Sequence, residues 1–269
     1  TWTWQQKKSG SLRSFNKDLI TGLDKKLKNQ TLTVTDVHTS SKRTPSPGLY
    51  DLTELQRDAN KRFGFSAKET LNIMQSLYEH HKVLTYPRTD SRYIGTDIVP
   101  TIKERLKACN IGPYKKYIPE LLKKPLKTSK AFVDDKKVSD HHAIIPTEQF
   151  VDLSHMTNEE RKIYDLVVRR FLAVLYPPFE YEQTQVTVKV GGETFLASGK
   201  IVKAQGWRAA YEEEVYSAED EEEEEAYESG KSLKGQTLPE LEKGQEIKGL
   251  VLSLTEGKTK PPAHFNEAT

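Results

Sequence analysis

The spacing of apolar residues changes at Pro177-Pro178, and this change limits the folds that the chain can adopt. Before that point, apolar residues recur at helical spacing, and several segments begin with a capping residue followed three positions later by glutamate. These pairs are Asp51/Glu54, Ser66/Glu69 and Thr157/Glu160. After that point, Val186, Val188 and Val190 alternate with polar residues and precede Gly191-Gly192, as is typical of a β-hairpin. The sequence therefore predicts an α+β fold.

Strand patterns also occur near the start of the chain, so the helical part lies between two β-rich parts. Residues Thr31 to His38 alternate in polarity, whereas Lys42 to Gly48 contains prolines and a glycine that break regular structure. We therefore predict a discontinuous β-rich domain of residues 1–49 and 179–269. A helical domain of residues 50–178 is inserted in it.

The sequence shows no sign of a membrane segment or a disulfide. No run approaches the roughly 20 apolar residues of a membrane-spanning helix, and no basic and apolar leader opens the chain. The single cysteine, Cys109, has no partner for an internal disulfide, and a Cys-x-x-Cys zinc motif is absent. These features favour a cytoplasmic protein without a structural metal.

The acidic residues are concentrated in one segment. Residues 212–228 hold eleven of the 39 acidic residues and no lysine or arginine, which leaves 28 acidic against 41 basic residues elsewhere. A basic body favours a polyanionic partner, of which nucleic acid is the commonest, although lysine-rich surfaces also serve solubility. We interpret the acidic segment as a solvated loop rather than a cation site.

The residues around Tyr86 carry the strongest chemical signal. Pro87 favours extended geometry at the residue before it, so Tyr86 is expected to follow a short Val83–Thr85 strand. Alternation along the extended chain then points Tyr86, Arg88 and Asp90 to one side. A tyrosine phenol has a pKa of about 10, and a guanidinium beside it favours the phenolate and binds phosphate through two hydrogen bonds. This pattern indicates a nucleophile beside a phosphate-binding group. Alternatively, Tyr86 packs on a helix and Arg88 pairs with Asp90.

Two adjacent histidines, His141 and His142, form a second candidate group. They follow Asp140 and precede the apolar residues Ala143 to Ile145. Adjacent side chains diverge in both helices and strands, and no cysteine lies nearby, so the pair is a poor metal site. We interpret the pair as supplying an imidazole that faces a phosphate. The alternative is a hydrogen-bonded structural histidine.

Two sequence words resemble motifs of a known family. Leu-Thr-Tyr-Pro-Arg-Thr-Asp-Ser-Arg-Tyr (84–93) and Ser-Asp-His-His-Ala-Ile-Ile-Pro-Thr (139–147) resemble the active-tyrosine and histidine motifs of type IA DNA topoisomerases, closest to the bacterial topoisomerase III subfamily. In that family a helical domain bearing the tyrosine is carried on a β-rich hinge domain. The resemblance implies that the chain is the central gate fragment of an isomerase. The complete enzyme would cut single-stranded DNA transiently, pass a strand and reseal the cut.

The resemblance also implies roles for individual residues. Tyr86 would form a 5′-phosphotyrosine, and Arg88 and His141 would contact the scissile phosphate. Asp90 would orient Arg88, while His142 occupies a position that other type IA branches fill with glutamate. Further DNA contacts are expected from Thr89, Ser91 and Arg92.

Two domains of the family have no counterpart in the sequence. Type IA enzymes bind Mg²⁺ through an acidic Toprim domain, and no Asp-x-Asp run suited to that role occurs here. Residues 212–228 do not replace it, because Mg²⁺ requires a few fixed carboxylates. A domain that guides DNA is also missing. We therefore expect no cofactor in this chain, Mg²⁺ in the complete enzyme, and a nucleoid location in the cytoplasm. Its partners would be single-stranded DNA and the missing domains, and the fragment alone would be inactive.

Other classes of function explain the same residues less well. A noncatalytic helical module could bind single-stranded DNA by using Arg88, Arg92 and the lysines as phosphate contacts. Such a module would form no covalent link to DNA. A tyrosine recombinase is a weaker alternative, because the sequence lacks the His-x-x-Arg word of those enzymes.

Overall fold

The computed structural model describes residues 1–211, 233, 235–248, 251–259, 261 and 265. The acidic segment, residues 212–228, lies outside the described residues. The chain divides into two compact units. A β-rich unit contains Thr1–Thr44, Glu180–Gln205 and the described residues of Glu212–Pro262. A helical unit contains Pro45–Phe179, Gly206–Tyr211 and the described residue of Ala263–Thr269.

Within the described residues, the β-rich unit is built on a six-stranded sheet with one α-helix. The elements are β1 (Thr3–Gln5), α1 (Lys17–Leu27), β2 (Leu32–Thr44), β3 (Phe179–Val190), β4 (Glu193–Ala204), β5 (Gly235–Gln236) and β6 (Glu246–Ile247). The strand order is β1-β4-β3-β2-β6, and β5 pairs with β4 in parallel. The pairs β1–β4, β3–β4 and β2–β6 are antiparallel.

The strands β3 and β4 form the hairpin that the alternating valines predict. Gly191 and Gly192 connect them with φ angles of 53° and 80°, which glycine adopts without steric cost. Aliphatic side chains of β3 are buried together with side chains of α1 and β2: Leu27, Leu32, Val34, Val186, Val188 and Val190. Because every second residue of β3 faces this core, a slip of one residue in the register would turn the three valines towards solvent.

The helical unit contains five α-helices among its described residues. They are α2 (Leu52–Phe63), α3 (Ala67–Glu79), α4 (Ile102–Ala108), α5 (Ile118–Lys123) and α6 (Asn158–Ala173). The longest helix, α6, packs against α2 and α3 and buries Ile163, Val167 and Phe171 at helical spacing. None of the described helices has both the length and the apolar character needed to span a membrane.

Side-chain caps explain where the main helices begin. Two predicted capping boxes are present, Ser66/Glu69 and Thr157/Glu160. Asp51 also caps α2, because its carboxylate accepts a hydrogen bond of 2.7 Å from the Glu54 amide. The Glu54 carboxylate, however, lies 3.9 Å from Arg92 Nη1 and does not complete a reciprocal box. The predicted cap at Asp51 is therefore present, whereas the reciprocal hydrogen bond from Glu54 is not formed.

A buried ion pair joins α6 to α2 and to the chain that precedes α2. Arg170 Nη2 donates to Asp58 Oδ2 at 2.7 Å and to the Tyr50 hydroxyl at 3.0 Å. Arg170 Nη1 donates to the Gly48 carbonyl at 3.1 Å, and the guanidinium lies 4.0 Å from the centre of the Tyr50 ring. Only 7% of the Arg170 side chain is exposed. The network thus fixes both residues 48–50 and α2 to α6.

The division of the chain differs from the predicted one at residues 45–49, at Phe179 and at Gly206–Tyr211. These residues lie in the helical unit, whereas the sequence interpretation assigns them to the β-rich domain. The Trp207 amide donates to the Pro177 carbonyl at 2.9 Å, and Arg169 Nη1 donates to the Ala210 carbonyl at 2.9 Å. These contacts are remote in sequence, so the local pattern did not reveal them.

Candidate active site

Tyr86 lies in an extended segment that follows α3. The chain turns at Lys82, whose φ angle is 59°, and Leu84 then forms one isolated antiparallel bridge with Pro146. The strand predicted for Val83–Thr85 is thus reduced to a single bridge. The amides of Thr85 and Thr147 form the two backbone hydrogen bonds of this bridge. The pairing extends no further because the Val83 amide donates to the Leu77 carbonyl and the Ile145 amide donates to Thr85 Oγ1.

Aromatic contacts on two sides hold the Tyr86 ring. The ring of Tyr78, on α3, meets it edge-on, with 5.6 Å between the ring centres and 80° between the planes. The ring of His141 lies closer, with 4.3 Å between the centres and 38° between the planes. The Tyr86 hydroxyl makes no hydrogen bond with the described residues. Packing therefore positions the phenol and leaves its oxygen available.

The Tyr86 side chain borders a cleft of about 220 Å³. Its other ionisable lining residues are Asp97, Asp140, His141 and His142. Gly95 also lines the cleft, and a Cβ added there would lie 2.3 Å from Asp97 Oδ1. Glycine therefore allows the Asp97 carboxylate to approach the backbone closely.

The roles of Gly95, Asp97 and Asp140 as cleft residues were missed from the sequence. Ile94 forms an isolated bridge with Val133, and this long-range pairing brings residues 132–140 beside the Tyr86 segment. The available signals were that Gly95 lies two residues after the tyrosine word and that Asp140 lies within the histidine word. A larger open depression of about 500 Å³ lies along α3 and the start of α6, and it contains none of the predicted site residues.

Arg88 and Asp90 are exposed beyond Tyr86. Arg88 makes no hydrogen bond or ion pair with the part of the chain that the structure describes. Asp90 accepts a hydrogen bond of 3.1 Å from Ser139 Oγ. The predicted contact between Asp90 and Arg88 is thus not formed in this structure, because Asp90 pairs with the segment that carries the histidines. The Arg88 guanidinium is left accessible to an anion.

Thr89 and Ser91 face inward, although the resemblance assigns them to DNA contacts. Thr89 Oγ1 donates to the His141 carbonyl at 3.1 Å, and Ser91 Oγ donates to the Lys137 carbonyl at 2.8 Å. Their residues are 7% and 5% exposed. Arg92 is half-buried, and its Nε donates to the Leu49 carbonyl at 3.1 Å. The hydroxyls of Thr89 and Ser91 are therefore buried and bonded to backbone carbonyls of the protein. Their DNA contacts stay a prediction that this geometry does not support.

The two adjacent histidines have different surroundings. His141 is exposed at the cleft and contacts the Tyr86 ring. His142 is half-buried, and its Nδ1 lies 2.8 Å from the Ala143 carbonyl, which requires a hydrogen on that nitrogen. Burial lowers the pKa of His142, so its imidazole is neutral near pH 7. His141 is therefore the more exposed of the two histidines at the cleft.

Sequence comparisons relate the whole chain to proteins of one kind. A family model described as DNA topoisomerase matches residues 2–269. The chain is 57% identical to DNA topoisomerase 3 of Bacillus cereus over 267 residues, which are 99% of this chain and 35% of the relative. It is 52% identical to DNA topoisomerase 3 of Bacillus subtilis over 269 residues, which are 100% of this chain and 36% of that relative. The chain thus spans about a third of the length of these curated relatives.

A solved structure shares the fold. The chain is similar to full-length topoisomerase I from Thermotoga maritima, with a TM-score of 0.61 and 22% sequence identity. The similarity covers 92% of this chain and 36% of that structure. At this identity the likeness establishes the fold and leaves residue roles to the geometry described above.

Proposed function

The chain belongs to the DNA topoisomerase family, and from this premise we propose that Tyr86 is the nucleophile of a type IA enzyme that cuts single-stranded DNA. The Tyr86 oxygen would bond to phosphorus while the bond to the 3′ oxygen breaks. The phenol would give up one proton and the departing 3′ oxygen would take one up, so that the step balances. The 3′ oxygen would leave as a hydroxyl, and the 5′ phosphate would remain on the tyrosine. Because one phosphoester replaces another, resealing would need no nucleotide cofactor.

The observation that carries the proposal is the arrangement of three side chains. Tyr86 stands at the cleft with its ring against His141, and Arg88 is exposed nearby in sequence without a described partner. Arg88 would bind the scissile phosphate through its planar guanidinium, and His141 would donate a hydrogen bond to a phosphate oxygen. Asp90 would support the site through Ser139. Arg92 is the remaining candidate for a charged DNA contact.

The complete reaction would need more of the protein than this chain. Among the described residues, no group of three or more His, Cys, Asp or Glu side chains could hold a metal ion, and we assign no step to one. The resemblance locates Mg²⁺ in a Toprim domain. We therefore expect the isolated chain to bind single-stranded DNA without cleaving it. The complete protein would pass a strand and reseal the cut, working at the nucleoid in the cytoplasm.

Covalent trapping tests the proposal. The complete protein that contains this chain is incubated with a single-stranded oligonucleotide labelled at either end, and the products are separated on a denaturing gel. We expect a protein adduct that retains a 3′ label, while a 5′ label leaves on a shortened oligonucleotide. A noncatalytic binding module would retard the oligonucleotide on a native gel and give no adduct after denaturation.

Arg88→Lys should impair cleavage severely in the complete protein. An ammonium group keeps the charge but cannot supply two parallel hydrogen bonds to a phosphate. We expect the single-turnover cleavage rate to fall by about 10²-fold, with DNA binding weakened only a few-fold. Arg57→Lys, which changes an exposed arginine on α2, is the matched control and should cleave normally. Near-normal cleavage by Arg88→Lys would reduce Arg88 to a surface cation.

Substitution of the two histidines should have unequal effects. His141→Ala is expected to lower the cleavage rate by about 10²-fold, because it removes the imidazole that faces the cleft. His142→Ala should cost less than about tenfold, since a neutral ring bonded to Ala143 offers the phosphate no charge. Equal losses for the two variants would refute the assignment of His141.

A further inference from the structure

The tyrosine and histidine segments are joined by threonine hydroxyls on both sides of Tyr86. Thr85 precedes the tyrosine directly, and its Oγ1 donates to the Ala143 carbonyl at 3.1 Å. The same oxygen accepts a hydrogen bond of 3.0 Å from the Ile145 amide. The Thr85 amide also donates to the Ile145 carbonyl at 3.0 Å. One residue thus makes three hydrogen bonds to the segment that follows His141 and His142.

Thr89 makes the matching contact on the other side of Tyr86. Its Oγ1 donates to the His141 carbonyl at 3.1 Å and accepts a hydrogen bond of 3.1 Å from the Ser91 amide. Its carbonyl accepts a hydrogen bond of 3.0 Å from the Leu52 amide at the start of α2. Thr89 is therefore fixed to α2 and to the backbone of His141, whose ring contacts Tyr86.

These bonds set the distance between two rings that do not hydrogen-bond to each other. Thr85 fixes the backbone before Tyr86, and Thr89 fixes the backbone after it. Both threonines hydrogen-bond to the backbone of residues 141–145. The Tyr86 and His141 rings then meet with 4.3 Å between their centres. A hydroxyl is required at each position because the same oxygen must both donate and accept.

We propose that Thr85 and Thr89, here called the threonine pair, are positioning residues that hold Tyr86 and His141 in the arrangement needed for attack. The proposal rests on the function proposed above for Tyr86. It replaces the DNA-contacting role that the resemblance implies for Thr89. A misplacement of about 1 Å can lower a rate by about 10²-fold, so hydroxyls that act only by positioning two other side chains can still control the reaction.

Valine and serine substitutions separate the hydroxyl from the shape of the side chain. In the complete protein, Thr85→Val and Thr89→Val should each lower the single-turnover cleavage rate by about tenfold, and the double variant by about 10²-fold. DNA affinity should change by less than about threefold, because both hydroxyls donate to backbone carbonyls of the protein. Thr85→Ser and Thr89→Ser keep the hydroxyl and should cleave within about threefold of the parent.

Thr147→Val is the matched control. Thr147 Oγ1 also joins the same two segments, by donating to the Lys82 carbonyl, but it does so on the far side of the Leu84 bridge from Tyr86. Its loss should weaken the pairing without moving the rings, so cleavage should stay within about threefold of the parent. A loss equal to that of the threonine pair would show a general effect of destabilisation and overturn the proposal.

A spectroscopic measurement tests the ring contact without relying on activity. Fluorotyrosine is incorporated at position 86 of the complete protein, and its fluorine NMR resonance is compared among the variants. His141→Ala defines the resonance without the neighbouring ring. The double valine variant should move towards that position, whereas the serine variants and Thr147→Val should not. An unmoved resonance in the folded double variant would overturn the positioning role, whatever its cleavage rate.

The outcomes distinguish this inference from the proposed function. If the parent protein forms no Tyr86-dependent adduct, the proposed function fails, and the fluorine resonances alone decide whether the threonine pair sets the ring contact. If the double valine variant does not fold, Thr89→Val alone is compared with Thr89→Ser, because Thr85 still supplies its three hydrogen bonds there. An unmoved resonance and parental cleavage in Thr89→Val would then overturn the proposal.

Discussion

Tyr86→Phe in the complete protein is expected to abolish DNA cleavage, with a loss of at least about 10⁴-fold in the single-turnover rate. The substitution removes the oxygen that would attack phosphorus and leaves the aromatic ring in place. Tyr78 and His141 contact the ring and not the hydroxyl, so the site should keep its shape. Binding to single-stranded DNA should therefore remain within a few-fold of the parent. Denaturing gels with labelled oligonucleotide measure the first effect, and salt-dependent binding measures the second.

Tyr93→Phe is the matched control for this experiment. Tyr93 belongs to the same sequence word, but its hydroxyl accepts a hydrogen bond of 3.1 Å from Lys137 Nζ at the surface. Its loss should leave cleavage nearly unchanged. Adduct formation by Tyr86→Phe, or an equal loss in Tyr93→Phe, would show that the nucleophile has been wrongly assigned.

Asp58→Ala should have the largest effect on stability among the substitutions considered. Asp58 is the carboxylate partner of Arg170, whose side chain is only 7% exposed. Its removal leaves a buried cation without a counter-charge and takes an acceptor from the Tyr50 hydroxyl. Breaking a buried pair in this way costs about 3–5 kcal/mol in the free energy of unfolding. Urea denaturation followed by circular dichroism measures the change.

Two comparisons show whether the cost arises from the uncompensated charge. Glu120→Ala removes a partner of Lys124 in a pair whose side chains are 61% and 72% exposed, and it should cost less than about 1 kcal/mol. Asp58→Leu combined with Arg170→Met removes both charges and should be more stable than Asp58→Ala alone. A double variant less stable than Asp58→Ala would mean that shape, rather than charge, limits this part of the core.

Local patterns in the sequence predicted the elements that depend on nearby residues. The capping boxes at Ser66 and Thr157 and the hairpin at Gly191-Gly192 are present, because each is determined by residues a few positions apart. The two sequence words also contain Tyr86 and His141, which meet at the cleft. The rings of Tyr86 and His141 are in contact. The catalytic roles of these two residues stay predictions until the experiments above are made.

The remaining features depend on contacts between distant residues, which single-sequence patterns do not report. Thr89 and Ser91 are polar and lie beside the tyrosine, so the sequence alone could not distinguish a DNA contact from a buried hydrogen bond. Asp140 enters the cleft because residues 132–140 fold back beside the Tyr86 segment. Gly206–Tyr211 joins the helical unit through hydrogen bonds of its backbone with the Pro177 carbonyl and the Arg169 side chain. Each of these outcomes required the tertiary structure.

The pairing of Thr85 with Ile145 has a consequence for the order in which the protein is made. The two residues are 60 positions apart, so the first cannot find its partner until the second has been synthesised. At translation rates of about 5–20 residues per second, the delay is on the order of 3–12 s. During that time the newly made tyrosine has no histidine beside it. A nascent chain would therefore expose Tyr86 for several seconds before the contact between the Tyr86 and His141 rings could form.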